Sequence, residues 1–283
     1  MQVNKCRNKF LVSKVTATKD VKASIKKAVG LIAGFSKYVS KGDTVLIKPN
    51  YNSDDPYPAT SDPDALKALA ELIYEAGAKK VIIGESSGIL WKPTRKVLEK
   101  MGVTWAAKES GSQLINFDEG EWVEKRIDGK CLSKVKVPKI LGEVDKLIYF
   151  PCLKTHRNDK FTMSLKLSVG MMSNLERVPL HLFNLECKTA ELNVLFKPAL
   201  IVMDARKCFV TGGPTNGKVE EPGLIMASND RIAIDVEGIK ILQSYKAKNK
   251  LKGNPWELPT IKMAVELDIG SRNEQDYIII ESK

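Results

Sequence analysis

A chain of 283 residues with ordinary apolar and charged fractions can bury one large core or two modest ones, which excludes the disordered and fibrous classes. No apolar run approaches the roughly 20 residues that cross a bilayer. Residues 1–6 lack the apolar core and cleavage site of a signal peptide, so a cytoplasmic chain with no membrane partner is expected. The formal net charge of +11 favours anionic partners, but the lysines recur along the whole chain, and a solvated lysine-rich surface accounts for them as well.

Taken in order, the first signal is helical. Ile25, Val29, Ile32 and Phe35 recur at helical spacing between Val21 and Val39, and Gly42-Asp43 ends the pattern. A short strand, 44–47, follows. Ser61-Asp62-Pro63 then offers a cap and a first-turn proline for a helix with Leu66, Leu69, Leu72, Ile73 and Ala76 on one face, stopped by Gly77. Val81-Ile82-Ile83 is a compact strand, and a weaker helix follows Pro93. The stretch 118–138 is polar, with a hairpin at Asp128-Gly129. Strands 144–150 and 199–203, an amphipathic helix 230–243 capped by Ser228-Asn229-Asp230 and a helix 259–267 complete the pattern. The fold class is therefore α/β: a mostly parallel sheet covered by helices, with 1–283 a single unit or two lobes of about 1–120 and 140–283 around a cleft.

Ligands of open α/β sheets collect beyond the carboxyl ends of the strands. Four loops fit. One is Lys48-Pro49-Asn50, leading to Thr60. The next is Gly84-Glu85-Ser86-Ser87-Gly88. The third is Pro151-Cys152-Leu153-Lys154-Thr155-His156. The last begins at Asp204 and runs to Gly212-Gly213-Pro214-Thr215-Asn216-Gly217-Lys218. Lys154, Thr155 and His156 supply a cation, a hydroxyl and a titratable imidazole within three residues. Residues 212–218 fit G-x-x-x-x-G-K, yet Val219 replaces the required hydroxyl residue and Glu220-Glu221-Pro222-Gly223 cannot begin the helix. A triphosphatase loop is set aside. What stays open is a glycine-rich turn on an anionic ligand or an ordinary surface turn. Trp256, between Pro255 and Pro259, reads as packing. Five dispersed cysteines without a C-x-x-C pair argue against a zinc ribbon, an iron–sulfur motif and a disulfide framework, and predict buried thiols. Cys152 is notable for its place beside Lys154.

Nine ordered pieces together resemble the family called domain of unknown function 362, over about 48–269. They are KPN (48–50), TSDP (60–63), GESSG (84–88), PCLKTH (151–156), SLKLSVG (164–170), His181, Asp204, GGPTNG (212–217) and ASNDRIAID (227–235). Lys166-Leu167 departs from that family's usual Lys-Asn, and the cysteine cluster of many members is absent. Locally the chain also resembles the catalytic domain of nickel-pincer lactate racemases, in which a lysine anchors an organic pincer cofactor and histidines serve the metal and proton transfer. Here His156 precedes Lys166 by ten positions and His181 follows.

The resemblance implies an enzyme holding a small anionic substrate or cofactor. His156, Lys166, His181 and Lys154 are the candidate catalytic groups. Lys48, Asn50, Thr60, Ser86, Ser87, Thr155, Gly212 and Gly213 are candidates for binding the ligand. His156, His181, Glu85 and Asp204 are candidate ligands of a divalent transition metal, and Lys166 is the candidate tether of an organic cofactor. The chemistry implied is racemase-like or epimerase-like proton or hydride transfer. Two other classes are carried: a basic nucleic-acid or phosphate-binding module, for which no motif is present, and an accessory protein delivering a metal or sulfur group through Cys152.

Overall fold

A computed structural model describes residues 9–88, 92–180 and 182–282. The candidate His181, the thiol of Cys6 and the leader reading of residues 1–6 lie outside the described residues.

The first half carries strand β1 (Phe10–Thr16), helix α1 (Val21–Leu31), β2 (Thr44–Pro49), α2 (Pro63–Glu75), β3 (Lys80–Glu85), α3 (Thr94–Lys100), α4 (Val103–Ser110) and β4 (Gln113–Asn116). An antiparallel hairpin follows, β5 (Trp122–Arg126) and β6 (Lys134–Pro138), close to the predicted turn. Next come β7 (Lys146–Phe150), β8 (Cys152–His156), β9 (Lys160–Thr162), α5 (Ser164–Leu167), α6 (Asn174–Leu180) and α7 (Leu185–Leu192). The chain closes with β10 (Leu200–Phe209), β11 (Val219–Glu220), β12 (Leu224–Ser228), α8 (Arg231–Ser244), α9 (Pro259–Glu266) and β13 (Tyr277–Ser282).

One 11-stranded sheet runs β13-β1-β12-β10-β7-β2-β3-β4, with β8 and β11 paired to β10 and β9 paired to β8. Its centre, β10-β7-β2-β3-β4, is parallel, while β12 is antiparallel to both neighbours. Alternation along the strands divides the core. Val45, Ile47, Val81, Ile83, Ile148 and Phe150 pack under α1 to α4, whereas Leu46, Ile82, Tyr149, Ile201 and Met203 pack under the later helices. Burial on both faces is what a parallel sheet requires, and the expected α/β class with a mostly parallel, helix-covered sheet is what forms.

Some local expectations change. The first helix ends at Leu31, because Ala33 (φ 89°) and Gly34 (φ 79°) turn the backbone left-handed and interrupt the ladder before a short 3-10 turn at Phe35–Lys37. The segment after Pro151 is a strand, β8, rather than a loop. Asp204 lies inside β10 rather than at its end. Helix α8 is buried nearly all round instead of being amphipathic, since the sheet covers one side and α5 and α9 cover another. Its buried polar groups have partners: Glu237 meets Lys14, Lys240 and Tyr277, and Arg231 donates to Asn193 O and Phe196 O. Asp230 caps α8 by accepting from Ala233 N, as the sequence predicts. Cys131 and Cys187 are joined by a disulfide, which corrects the reading of five free thiols. Cys152 and Cys208 are free and buried.

Candidate functional site

Because β2, β3 and β7 run parallel in register, their carboxyl ends share one edge of the sheet. There a cavity of about 480 Å³ opens between the strand-end loops and the α5–α6 segment. That is within the usual range for small-molecule sites. Among the nominated residues, Lys48, Asn50, Glu85, Ser86, His156 and Lys166 line it. The others do not.

Lys48 and Glu85 form the inner end. Lys48 Nζ lies 2.5 Å from Glu85 Oε1 and donates to Pro49 O at 2.7 Å. Burial pushes the Lys48 ammonium below its ordinary value, and Glu85 opposes that. The other Glu85 oxygen accepts from Tyr51 N at 2.9 Å. Gly170, on the 3-10 turn Ser168–Met171 after α5, lets the backbone approach: a Cβ there would stand 2.7 Å from Lys48 Nζ. Arg177 of α6 crosses the mouth of β3, donating to Ser86 O, Ser87 O, Gly170 O and Met172 O. Burial lowers its guanidinium to about 10.

His156 and Lys166 form the second cluster. His156 Nδ1 accepts from the N–H groups of Asn158 and Asp159 at 3.1 and 3.0 Å, which leaves the proton of the neutral ring on Nε2. Lys166 Nζ pairs with Asp159 Oδ2 at 2.6 Å, and the hydroxyls of Thr189 and Thr260 lie 3.4 and 3.3 Å from the same carboxylate. Burial raises the Asp159 carboxyl against the pull of Lys166. Behind them Asp235 of α8 accepts from Ser164 N and Leu165 N, seating the first turn of α5, and burial pushes its carboxyl up to about 7.

The remaining nominated residues among those described lie outside the cavity lining, and all but the orphaned Ser87 hydroxyl are engaged in the fold itself. Lys154 lies on the same face of β8 as His156, one step deeper, donating to Ala59 O and Pro214 O; burial lowers it to about 8. Thr155 Oγ1 donates to Phe209 O and Thr60 Oγ1 to Asp55 O. Ser87 N donates to Thr94 Oγ1. Gly212 and Gly213 both have φ of 69°, and a Cβ on Gly213 would collide with Thr155 O. The glycines thus seat a turn on β8, presenting Pro214 and Thr215 to the cavity. Asp204 is fully buried between Tyr57 and Arg206, with Asp62 on the far side of the arginine. The Cys152 thiol is also fully buried, and burial raises it to about 12.

The nominated metal ligands therefore do not converge among the described residues. Glu85 is committed to Lys48 and Asp204 to Arg206, and the lone pair of His156 Nδ1 already accepts from two N–H groups. Sequence reasoning missed Tyr51, Thr162, Asn174, Arg157 and Arg177, which also line the cavity. Among the described residues, Tyr51 OH, Asn52 Oδ1, Thr162 Oγ1 and Asn174 Oδ1 find no hydrogen-bond partner, and all four residues line this cavity.

A parallel-sheet α/β chain with a cationic strand-end cleft defines the general class. The chain belongs to the family of the domain of unknown function 362 (DUF362), whose sequence profile matches residues 45–240. It is 24% identical over 284 aligned positions to a thylakoid-associated protein of Synechocystis, covering 87% of this chain and 86% of that protein. Among solved structures it is similar to the lactate racemase apoprotein of Thermoanaerobacterium thermosaccharolyticum, with a TM-score of 0.35 and 14% identity over 70% of this chain. The chain spans 50% of the length of that structure.

Proposed function

We propose that this chain is an enzyme that binds a small organic anion in the strand-end cleft and transfers a proton to or from it. The observation that carries the reading is the charge of the cavity lining: Lys48, Arg157, Lys166 and Arg177 face Glu85. Even with Asp159 behind Lys166 and Asp118 behind Ser86, cations remain in excess. In a cleft with low-dielectric walls that excess favours an anion. Tyr51, Leu167, Val169 and Val178 supply apolar surface for the body of the ligand. Lys48, with its ammonium destabilised by burial and a carboxylate at 2.5 Å, is the group best prepared to exchange a proton with the bound molecule. Orphaned hydroxyl and amide oxygens around the same cavity are what a polar ligand or ordered water would satisfy.

Isothermal titration calorimetry with inorganic phosphate and a series of short hydroxy- and keto-carboxylates tests the reading. At least one should bind, and Arg157→Gln and Lys48→Met should each weaken it about ten-fold or more. Failure of every anion to bind, or indifference to both substitutions, would refute it. Among the described residues no helix is long and apolar enough to cross a membrane. A cytoplasmic location is proposed separately, and recovery of the chain in the membrane fraction of a lysate would overturn it.

A further inference from the structure

Away from the cleft, the loop between β5 and β6 wraps a buried carboxylate. Glu191 of α7 is 2% exposed, and its oxygens accept from Lys130 N at 2.6 Å, Cys131 N at 3.1 Å and Leu132 N at 2.8 Å. A Cβ on Gly129 would collide with that carboxylate, so the glycine lets the loop close around it. No lysine or arginine among the described residues pairs with Glu191. Cys131 N reaches both oxygens, so the three N–H groups make four contacts with the carboxylate. The cysteines of the disulfide flank it, and the two sulfurs and one carboxylate oxygen lie within 4.8 Å of one another.

We propose that Cys131, Cys187 and Glu191 form a redox-gated site for a thiophilic divalent cation of the zinc class. The dimensions favour it. With zinc–sulfur bonds of about 2.3 Å and zinc–oxygen bonds of about 2.1 Å, the tetrahedral edges are about 3.6 Å from sulfur to oxygen and 3.8 Å from sulfur to sulfur. Cys187 Sγ already stands 3.5 Å from Glu191 Oε1. The edge from Cys131 Sγ to the carboxylate is within 4.8 Å, and the sulfur–sulfur edge has to open, which is what reduction does. A dithiol reductant supplies two electrons and two protons to the disulfide, giving two thiols while the reductant becomes a disulfide. The cation then displaces both protons and forms two metal–thiolate bonds, with the Glu191 carboxylate as third ligand. Oxidation by thiol–disulfide exchange expels the metal and restores the covalent tie. The oxidised form is the closed state. Three protein ligands leave a fourth position to water or an exogenous ligand.

The test is an anaerobic titration of the full chain with cadmium, before and after reduction by a phosphine, followed through the ultraviolet cadmium–thiolate absorption. Zinc uptake is read in parallel by competition with a chromogenic chelator. Expected is one cation per reduced chain and none per oxidised chain. Cys131→Ser and Cys187→Ser should abolish uptake, Glu191→Gln should weaken it about ten-fold or more, and Cys152→Ser should retain it. Circular dichroism checks that each variant is folded, and the oxidised wild type provides a control without substitution. The proposal is overturned if the reduced chain takes up no metal, if oxidised and reduced chains take up the same amount, or if uptake survives either serine substitution at 131 or 187.

Discussion

The buried pair of Lys166 and Asp159 invites the most demanding perturbation. The two side chains are 7% and 1% exposed and 2.6 Å apart. Removing one partner of such a pair typically costs about 3–5 kcal/mol, because the survivor is left charged and dehydrated. Asp159→Asn keeps an oxygen for Lys166 but removes the charge, so a loss of about 2–4 kcal/mol is expected. Lys166→Met leaves a carboxylate that burial already pushes upward. With a folded pKa above the unfolded one, that carboxylate's stabilising contribution is present at low pH and lost as pH rises through the folded value. The methionine variant should therefore lose more stability relative to wild type at pH 8 than at pH 5. Combining the substitutions removes both charges, and the double variant should recover much of the loss, with a coupling of about 2–3 kcal/mol. Urea unfolding at fixed pH, followed by far-ultraviolet circular dichroism with a common slope, measures each corner of the cycle. A cost below about 1 kcal/mol for Asp159→Asn, or simple additivity in the double variant, would refute the reasoning.

Two further outcomes follow from the same wall of the cleft. Asp235 rises from 3.8 to about 7. At about 1.36 kcal/mol per pKa unit this corresponds to roughly 4 kcal/mol, present below pH 4 and lost as pH rises through 7. Asp235→Asn should flatten that dependence in urea titrations across pH 4–8, and an unchanged slope would count against the assignment. Gly170→Ala sets a Cβ 2.7 Å from Lys48 Nζ and 3.3 Å from Glu85 Oε1. It should cost about 1–3 kcal/mol and weaken anion binding, read by thermal unfolding and calorimetry; wild-type values in both would show that the inner end of the cleft yields freely.

Much of this fold could be read from periodicity. The strands at 44–47, 81–83 and 144–150 were visible as apolar runs, and the helix after Asp62 through its cap and proline. Lys48, Glu85, Ser86 and His156 could be nominated because strands that alternate with helices send their carboxyl ends to one edge, and Lys166 through the family resemblance. What escaped depends on tertiary contact. Lys154 and His156 look equivalent in sequence, but only the outer of the two reaches the cavity, while the inner is taken by Ala59 O and Pro214 O. Arg177 carried no local signal, since it donates to carbonyls in the loop after β3 and around the turn after α5. Cys131 and Cys187 are separated by 56 residues, and no spacing rule anticipates a hairpin loop folding onto α7. The even burial of α8 was hidden because Arg231, Asp235 and Glu237 read as a polar face, although each has a buried partner.

Arg177 ties α6 to the loop after β3 and to the turn after α5 through four carbonyl oxygens, those of Ser86, Ser87, Gly170 and Met172. Such a clamp is blind to the side chains at those positions. Of those positions Ser86 lines the cleft, and exchanging its side chain leaves the four carbonyl bonds in place, so the cleft can be retuned there while its frame stays fixed. Only Gly170 is denied that freedom, because Lys48 occupies the space where its side chain would go. The fold thereby separates the parts of its cleft that can drift from the one position that cannot.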